Sequence, residues 1–372
     1  MKVFIDGYIF WIQKVGGITS YWSNLLPKMA EIDRSNEFYL YLKPFSIEPS
    51  MQKISNIKLL KSKSKLPMKI YNFIENGVMR RYSTKIKPDI FHSTYYTSKQ
   101  WSKIPKIMTV YDMIYEFFPQ YFSDKKSISF IKEKRKVIGE AERIIAISEN
   151  TKRDLISLYH LPESKIRVVY PGINQKFKRV NNESLLRNFK GKYRIEKPYF
   201  LYIGRRLLYK NVINLLKAFS LLPQRENFQL LLIGGEKEFS PLEVDIINRL
   251  KINDDVKHIK EMSEADLISA YNSAVALVFP SLYEGFGLPI LEAMACGCPV
   301  LCSNASSMPE VGGDAAIYFN PNEVDVITNE LEKILDENTR KKMGMKGIEK
   351  ARQYTWEKTA NQTLQVYKQA IG

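Results

Sequence analysis

Residues 274–299 read AVALVFPSLYEGFGLPILEAMACGCP, and two carboxylates, Glu284 and Glu292, stand in this stretch with seven residues between them. The apolar run Ala274–Phe279 has the composition of a buried strand. Pro280-Ser281 ends it, and the loop from Leu282 to Leu288 holds two glycines, Gly285 and Gly287. Pro289 suits the first turn of a helix, where the N–H it lacks has no partner to lose. Gly297 and Pro299 close that helix after about two turns. Glycines let backbone N–H groups approach an anion closely, and a helix N-terminus adds partial positive charge toward the same point. Glu284 in the loop and Glu292 in the helix's first turn are suited to accept hydrogen bonds from adjacent hydroxyls, as on a ribose or a hexose. Singly, each acid would pass for a solvated loop residue or a residue favouring the helix dipole. Together, inside a glycine loop, they favour a binding site.

A cationic pair stands upstream. Phe200-Leu201-Tyr202-Ile203-Gly204 reads as a strand, with Arg205 next and Lys210 five residues later. Two cations just past a strand's carboxyl end are placed to neutralise a diphosphate leaving group, although ordinary loop charge explains them equally well. In the first half, Gly16-Gly17 precede a helix beginning near Thr19, a pattern that by itself marks only a turn. His92, at the end of the run Ile90–Ser93, is open between touching a ligand and capping a strand end. The three cysteines, Cys296, Cys298 and Cys302, match no common zinc spacing, and only three histidines (His92, His160, His258) are present to complete one. They read as small buried apolar residues in a reducing compartment. No Asp-x-Asp occurs, and no metal or other cofactor is expected, because Arg205, Lys210 and helix N-termini already supply charge stabilisation.

Parallel α/β units must position these groups, since short β-rich runs alternate with helical patterns throughout. The expected strands of the first half are Lys2–Asp6, Phe38–Leu42, Ile57–Leu60, Ile90–His92, Ile107–Tyr111, Arg143–Ile147 and Arg167–Tyr170. Those of the second are Tyr199–Ile203, Gln229–Ile233, Val256–Ile259, Ala274–Phe279, Pro299–Cys302 and Ile317–Phe319. Each set suffices for a doubly wound sheet. At 372 residues the chain exceeds the usual reach of one core, so two domains are expected. Pro171-Gly172-Ile173 and the polar, basic stretch after it mark the boundary. The expected division is 1–172, a linker at 173–197, and 198–355. A ligand should lie in the cleft between the domains, beyond the carboxyl ends of the strands.

The net charge of +16 is uneven: residues 1–200 hold 37 Lys/Arg against 18 Asp/Glu, and residues 201–372 hold 19 against 22. A nucleic-acid partner, an anionic membrane and a plain solvated surface all accommodate such a field. No recognisable nucleic-acid module accompanies it. Residues 61–82 and the cluster Lys125–Lys136 mix basic and apolar side chains as an interfacial helix does, or as a surface helix covering a sheet does. No apolar run approaches the roughly 20 residues needed to span a bilayer. Met1–Gly7 reads as a first strand instead of a signal peptide.

The 284–300 stretch resembles the signature of retaining glycosyltransferase family 4, E-G-F-G-L-P-x-L-E-A-M-A-x-G-x-P-V, and the chain as a whole is similar to that family. Ala141–Leu155 (AERIIAISENTKRDL) resembles its late N-domain element, Asn304–Gly313 (NASSMPEVGG) its loop after the signature, and Trp356-Glu357-Lys358-Thr359 the start of its C-terminal helix. The resemblance implies a GT-B fold: α/β, with two Rossmann-like doubly wound domains facing across a cleft, the first completed by the helix at about 356–372. It implies a nucleotide-diphosphate-sugar donor and transfer with retained configuration to a glycan or lipid-linked acceptor in surface polysaccharide or lipopolysaccharide assembly. GDP-mannose is slightly favoured by likeness to O-antigen mannosyltransferases, with a UDP-sugar as the alternative. Carried over, Glu292 holds the donor ribose and Glu284 the transferred sugar. The backbone at Gly285, Phe286, Gly287 and Leu288 lines sugar and diphosphate, Arg205 and Lys210 meet the diphosphate, and Gly16 and Gly17 face it from the other domain. The base would lie around His258–Met262. Val110-Tyr111-Asp112-Met113 resembles a segment that often reads His-Asp; Tyr111 departs from it, and Asp112 is kept as an orienting residue. No protein nucleophile is assigned, the departing phosphate itself assisting proton removal. The implied location is cytoplasmic, peripheral on the inner face of the membrane. A nucleotide-sugar epimerase and a basic nucleic-acid-binding protein are the alternatives.

Overall fold

The computed structural model describes residues 1–14, 16–44, 46, 54–62, 68–97, 104–235 and 238–372, with backbone alone described at 68–74 and 76. The chain forms two compact units, Met1–Gly172 with Thr355–Gly372, and Ile173–Tyr354.

The first unit is built on seven strands, β1 (Lys2–Ile5), β2 (Glu37–Leu42), β3 (Ile57–Lys61), β4 (Ile90–Ser93), β5 (Lys106–Val110), β6 (Arg143–Ala146) and β7 (Ile166–Val168). They pair in the order β3-β2-β1-β4-β5-β6-β7, every ladder parallel. The second unit has β8 (Tyr199–Ile203), β9 (Gln229–Ile233), β10 (Val256–Ile259), β11 (Ala276–Phe279), β12 (Val300–Ser303) and β13 (Ile317–Phe319) in the order β10-β9-β8-β11-β12-β13. These strands are short and almost wholly apolar because helices cover both faces of a parallel sheet. The segments FLYI, LLLI and ALVF need buried surroundings on each side. In each unit the strand order reverses once, between β1 and β4 and between β8 and β11, and loops leaving those carboxyl ends frame a crevice.

Helix starts are written in the sequence. Asp124 accepts from the N–H groups of Lys126 and Ser127 at 2.9 and 3.1 Å, opening helix Lys125–Gly139. Ser148 accepts from Thr151 N–H at 3.0 Å, opening Glu149–Tyr159. The final helix, Trp356–Ile371, belongs to the first unit. Its Trp356 meets Tyr21 edge-on, with centroids 5.6 Å apart. Its Thr359 hydroxyl donates to Tyr170 O at 2.8 Å, and its Tyr367 hydroxyl lies 2.7 Å from His92 Nδ1.

One stretch differs from its sequence reading, and another meets one of the two readings left open for it. The 173–197 segment lies in the second unit and carries a helix, Glu183–Lys192, whose Phe189 is buried. Lys192 and Tyr193 bind Asp266 at 2.6 and 3.0 Å. Its polar composition reflects a one-sided helix, not a free linker. In the other, part of the proposed interfacial segment 61–82 lies outside the described residues, but the helix Met68–Ile86 is present. Met79 is fully buried against Phe4, Tyr39, Tyr41 and Phe91, with Val78, Tyr82 and Ile86 packed on the same cluster. The 78–86 part of the helix covers the sheet. No described helix is long and apolar enough to cross a membrane.

Gly172 shows why the chain can leave the first unit beside its returning helix. A Cβ built there would lie 2.2 Å from Trp356 N and 2.5 Å from the Thr355 carbonyl carbon. Both are backbone and cannot swing away, so Gly172→Ala is expected to cost about 1–3 kcal/mol. Differential scanning calorimetry should show the first unit melting several degrees lower; an unchanged transition would contradict the close packing.

Candidate active site

Arg205, Lys210 and residues 284–292 belong to the second unit and lie on the connections leaving β8 and β11, while His258–Met262 lies at the end of β10. Gly287 is the N-cap of helix Leu288–Ala295, with φ +106° that a side chain would strain. Pro289 lies in the first turn. Glu292 is the fifth helical residue, so it sits in the second turn, one turn deeper than its spacing from Pro289 suggested.

Glu284 is buried and its carboxylate is organised before any ligand arrives. Oε1 accepts from Ser281 Oγ at 2.6 Å and from Lys210 Nζ at 2.5 Å. Lys210 comes from a short 3-10 turn, Leu208–Lys210, and its side chain is largely covered. Desolvation offsets much of the attraction in a shielded pair such as this, but loss of either partner leaves a costly unpaired charge. Lys210 and Glu284 are therefore brought together. Arg205, exposed on the loop after β8, has its carbonyl tied by the Tyr202 hydroxyl at 2.8 Å. Phe286 is buried, with its ring 5.9 Å from that of Tyr354.

Glu292 accepts from the Tyr271 hydroxyl at 2.7 Å. Its residue surface is only half-buried, but the carboxyl end points into dense packing, and it is the carboxyl environment that governs ionisation. Burial raises its pKa to about 7, against the smaller opposing pull of the Tyr271 hydrogen bond. The three cysteines are free and buried, and burial pushes the Cys296 thiol up to about 12. They are unreactive packing groups at neutral pH.

Sequence reasoning missed Arg206. Its guanidinium binds Glu243 at 2.9 Å, Gly234 O at 3.0 Å and Glu238 O at 2.6 Å, and lies 2.7 Å from His258 Nε2. Burial lowers the His258 pKa, keeping the ring neutral beside this cation. Arg205, Arg206, Leu207, Glu238, Phe239, Ser240 and Glu243 line a cavity of about 370 Å³. A doubled arginine after the strand was the available signal, but only the fold reveals that Arg206 is spent internally.

In the first unit, Gly16 is the N-cap of helix Gly17–Ile32. The Gln13 carboxamide accepts from Thr19 N–H at 3.3 Å at that end. Asp112 is half-buried, with Oδ1 accepting from Ile114 N–H at 3.2 Å and its carbonyl accepting from Lys134 Nζ at 2.8 Å. Lys134 also pairs with Glu116 at 3.0 Å and is buried, so it belongs to the core and not to an outward basic face. Tyr111, the departure from His-Asp, is buried: its hydroxyl accepts from Trp22 Nε1 at 2.6 Å and donates to Thr94 O at 3.0 Å. His92 lies wholly inside, 2.9 Å from Thr109 Oγ1, and burial lowers its pKa to about 3. It is a neutral core histidine and does not reach a ligand.

Two parallel Rossmann-like sheets, the second carrying a cationic loop, a glycine loop and two acids at its switch point, define a GT-B glycosyltransferase. "Glycosyltransferase Family 4" matches residues 15–177 and "Glycosyl transferases group 1" residues 187–353. The chain is similar to O-antigen chain mannosyltransferase B of Escherichia coli, 31% identical over 70% of each chain. It is also similar to the serotype-specific mannosyltransferase WbdA of Escherichia coli, 28% identical over 66% of this chain but spanning only 31% of that longer protein. In fold it matches the Anabaena protein HepE in complex with UDP-glucose, with a TM-score of 0.76 at 15% identity, covering 98% of this chain and 99% of that one. The chain belongs to glycosyltransferase family 4. Of the readings open at the level of sequence, this membership carries the glycosyltransferase over the epimerase and the nucleic-acid binder.

The raised pKa of Glu292 has a testable sign. The folded state holds this proton above the ordinary glutamate pKa of 4.5, so its contribution to stability is fully present below that value and is lost as pH rises toward about 7. At 1.36 kcal/mol per unit the loss is about 3 kcal/mol at most. Between pH 5 and pH 8, wild type should lose more stability in urea unfolding than Glu292→Gln, which cannot ionise. Parallel pH profiles would refute the buried acid.

Proposed function

We propose that this glycosyltransferase moves mannose from GDP-mannose to a glycan or lipid-linked acceptor in the assembly of a surface polysaccharide, with retention at the anomeric carbon. The observation that carries the donor reading is the Lys210–Glu284–Ser281 cluster at the N-terminus of helix Leu288–Ala295. A cation, a fixed carboxylate and a helix N-terminus meet there, the groups a diphosphate and a sugar hydroxyl require. Mannose is favoured by the two mannosyltransferases to which the chain is similar; a UDP-sugar is the alternative, as in HepE.

In this mechanism Glu292 accepts hydrogen bonds from the ribose hydroxyls and Glu284 from the transferred sugar. Arg205 and Lys210 offset the charge that grows on the diphosphate as the C1–O bond to phosphate breaks. The acceptor hydroxyl forms the new C1–O bond on the same face, and its proton passes to the departing phosphate. In the first unit, the family resemblance assigns acceptor orientation to Asp112 and diphosphate contact to the backbone of Gly16 and Gly17.

Thermal-shift titration with GDP, UDP and ADP tests the donor. A ligand at 100 times its Kd stabilises by about 2.7 kcal/mol, and GDP should give the largest shift. Glu292→Ala should weaken that nucleotide by about 10- to 100-fold, the worth of one charge-assisted hydrogen bond. Unchanged affinity would remove Glu292 from the ribose.

Peripheral attachment to an anionic membrane is proposed through residues 61–82 and 125–136, and the described surface around the second carries it. Phe117, Tyr121 and Ile128 are exposed there beside exposed Lys125, Lys126, Lys132, Arg135 and Lys136. Apolar side chains among cations suit an anionic interface. The protein should float with phosphatidylglycerol vesicles and not with phosphatidylcholine vesicles; absence from both would end this reading.

A further inference from the structure

The loop that carries Glu284 does not hold its own shape. β12 runs beside β11, with Phe279 opposite Cys302, so the loop leaving β12 lies under the loop leaving β11. Ser303 Oγ starts a turn by accepting from Ala305 N–H at 3.1 Å. Ser306 follows at φ +57°, a left-handed conformation that side chains seldom adopt outside glycine. The Ser306 hydroxyl accepts from Glu284 N–H at 3.2 Å and donates to Glu284 O at 2.5 Å. The Ser307 hydroxyl, fully buried, is shared between Glu284 O and Phe286 O, each at 2.9 Å.

Two adjacent hydroxyls thus hold both carbonyls that flank Gly285. In a planar trans peptide the C=O and the following N–H point in opposite directions. With the Glu284 and Phe286 carbonyls drawn toward the serines, the N–H groups of Gly285 and Gly287 are turned to the other side. The Glu284 side chain leaves the same fixed peptide, where Lys210 and Ser281 meet it.

We propose that Ser306 and Ser307 are positioning residues for sugar transfer: they clamp the 284–287 backbone so that the Glu284 carboxylate and the following amides are aimed at the transferred sugar before it arrives. The proposal rests on the donor reading above and adds residues to which that reading gives no role. A serine in a conformation suited to glycine makes sense on this account, because glycine has no hydroxyl to reach Glu284. Ser306→Gly therefore separates the two effects: it relieves the backbone and removes the clamp.

Nucleoside diphosphate release from GDP-mannose and from UDP-glucose should be followed for wild type, Ser306→Gly and Ser307→Ala. GDP and UDP affinity should be measured by calorimetry on the same samples. Misplacing the loop by about 1 Å is expected to lower kcat on the order of 100-fold, with KM and nucleotide Kd within about threefold of wild type, since Arg205 and Glu292 stand outside the clamped backbone. Ser306→Gly should melt no lower than wild type, so its loss of kcat would not be loss of fold. A kcat within threefold of wild type in Ser306→Gly overturns the clamp, as does an equal loss of kcat and nucleotide affinity. Should wild type release nucleotide from neither donor and bind neither diphosphate, the donor reading itself fails and the clamp falls with it.

Discussion

Parallel pairing of β8 with β11, Phe200 opposite Ala276 and Leu201 opposite Leu277, decides where chemistry in the second unit can occur. A parallel strand delivers its carboxyl end to the same edge as its neighbour, and each connection must then cross back over one face of the sheet. At the pair where strand order reverses, the two connections leave in different directions and open a gap between them. Lys210 stands on one of these connections and Glu284 on the other, so their ion pair bridges the gap. The first unit repeats the device. Asp6, just past β1, is buried and takes hydrogen bonds from Ser93 Oγ at 2.9 Å and from Thr94 N–H at 2.9 Å, both at the end of β4. In each unit a carboxylate fastens the two loops that diverge from the switch point.

Fastening has an energetic consequence. A buried carboxylate is tolerated only when its partners are fixed, and fixed partners are what a transferring enzyme needs, because dipoles set in advance do not reorganise during reaction. Glu284 meets that condition through Lys210 and Ser281. Glu292 meets it less fully, with one hydroxyl from Tyr271 and burial that raises its pKa to about 7. An acid held in that state is short of hydrogen-bond donors. Two sugar hydroxyls would supply them, which is a physical reason for proposing a ribose there.

The thirteen strands of the described residues are legible in the sequence to within two residues, because most are short apolar runs bounded by polar residues or Gly/Pro, as burial between two helical layers requires. The glycine loop and its two acids are legible for the same local reason. What is hidden depends on partners distant in the chain. Nothing near Lys134 announces that it is buried beneath Asp112, or that Tyr111 turns inward to Trp22. The helix Glu183–Lys192 hides because one aromatic, Phe189, is enough to seat it. Ser306 and Ser307 hide most completely: their hydroxyls act on backbone more than twenty residues away, and neither residue is charged or aromatic.

The central claim is that the β8 and β11 loops of the second unit hold a nucleoside-diphosphate sugar. A crystal structure of the protein soaked with GDP tests it most directly. The account predicts the diphosphate within ion-pair distance of Arg205 and Lys210, at the N-terminus of helix Leu288–Ala295, with the ribose hydroxyls on the Glu292 carboxylate. A nucleotide bound away from these loops, or a ribose that leaves Glu292 bonded to Tyr271 alone, would contradict it.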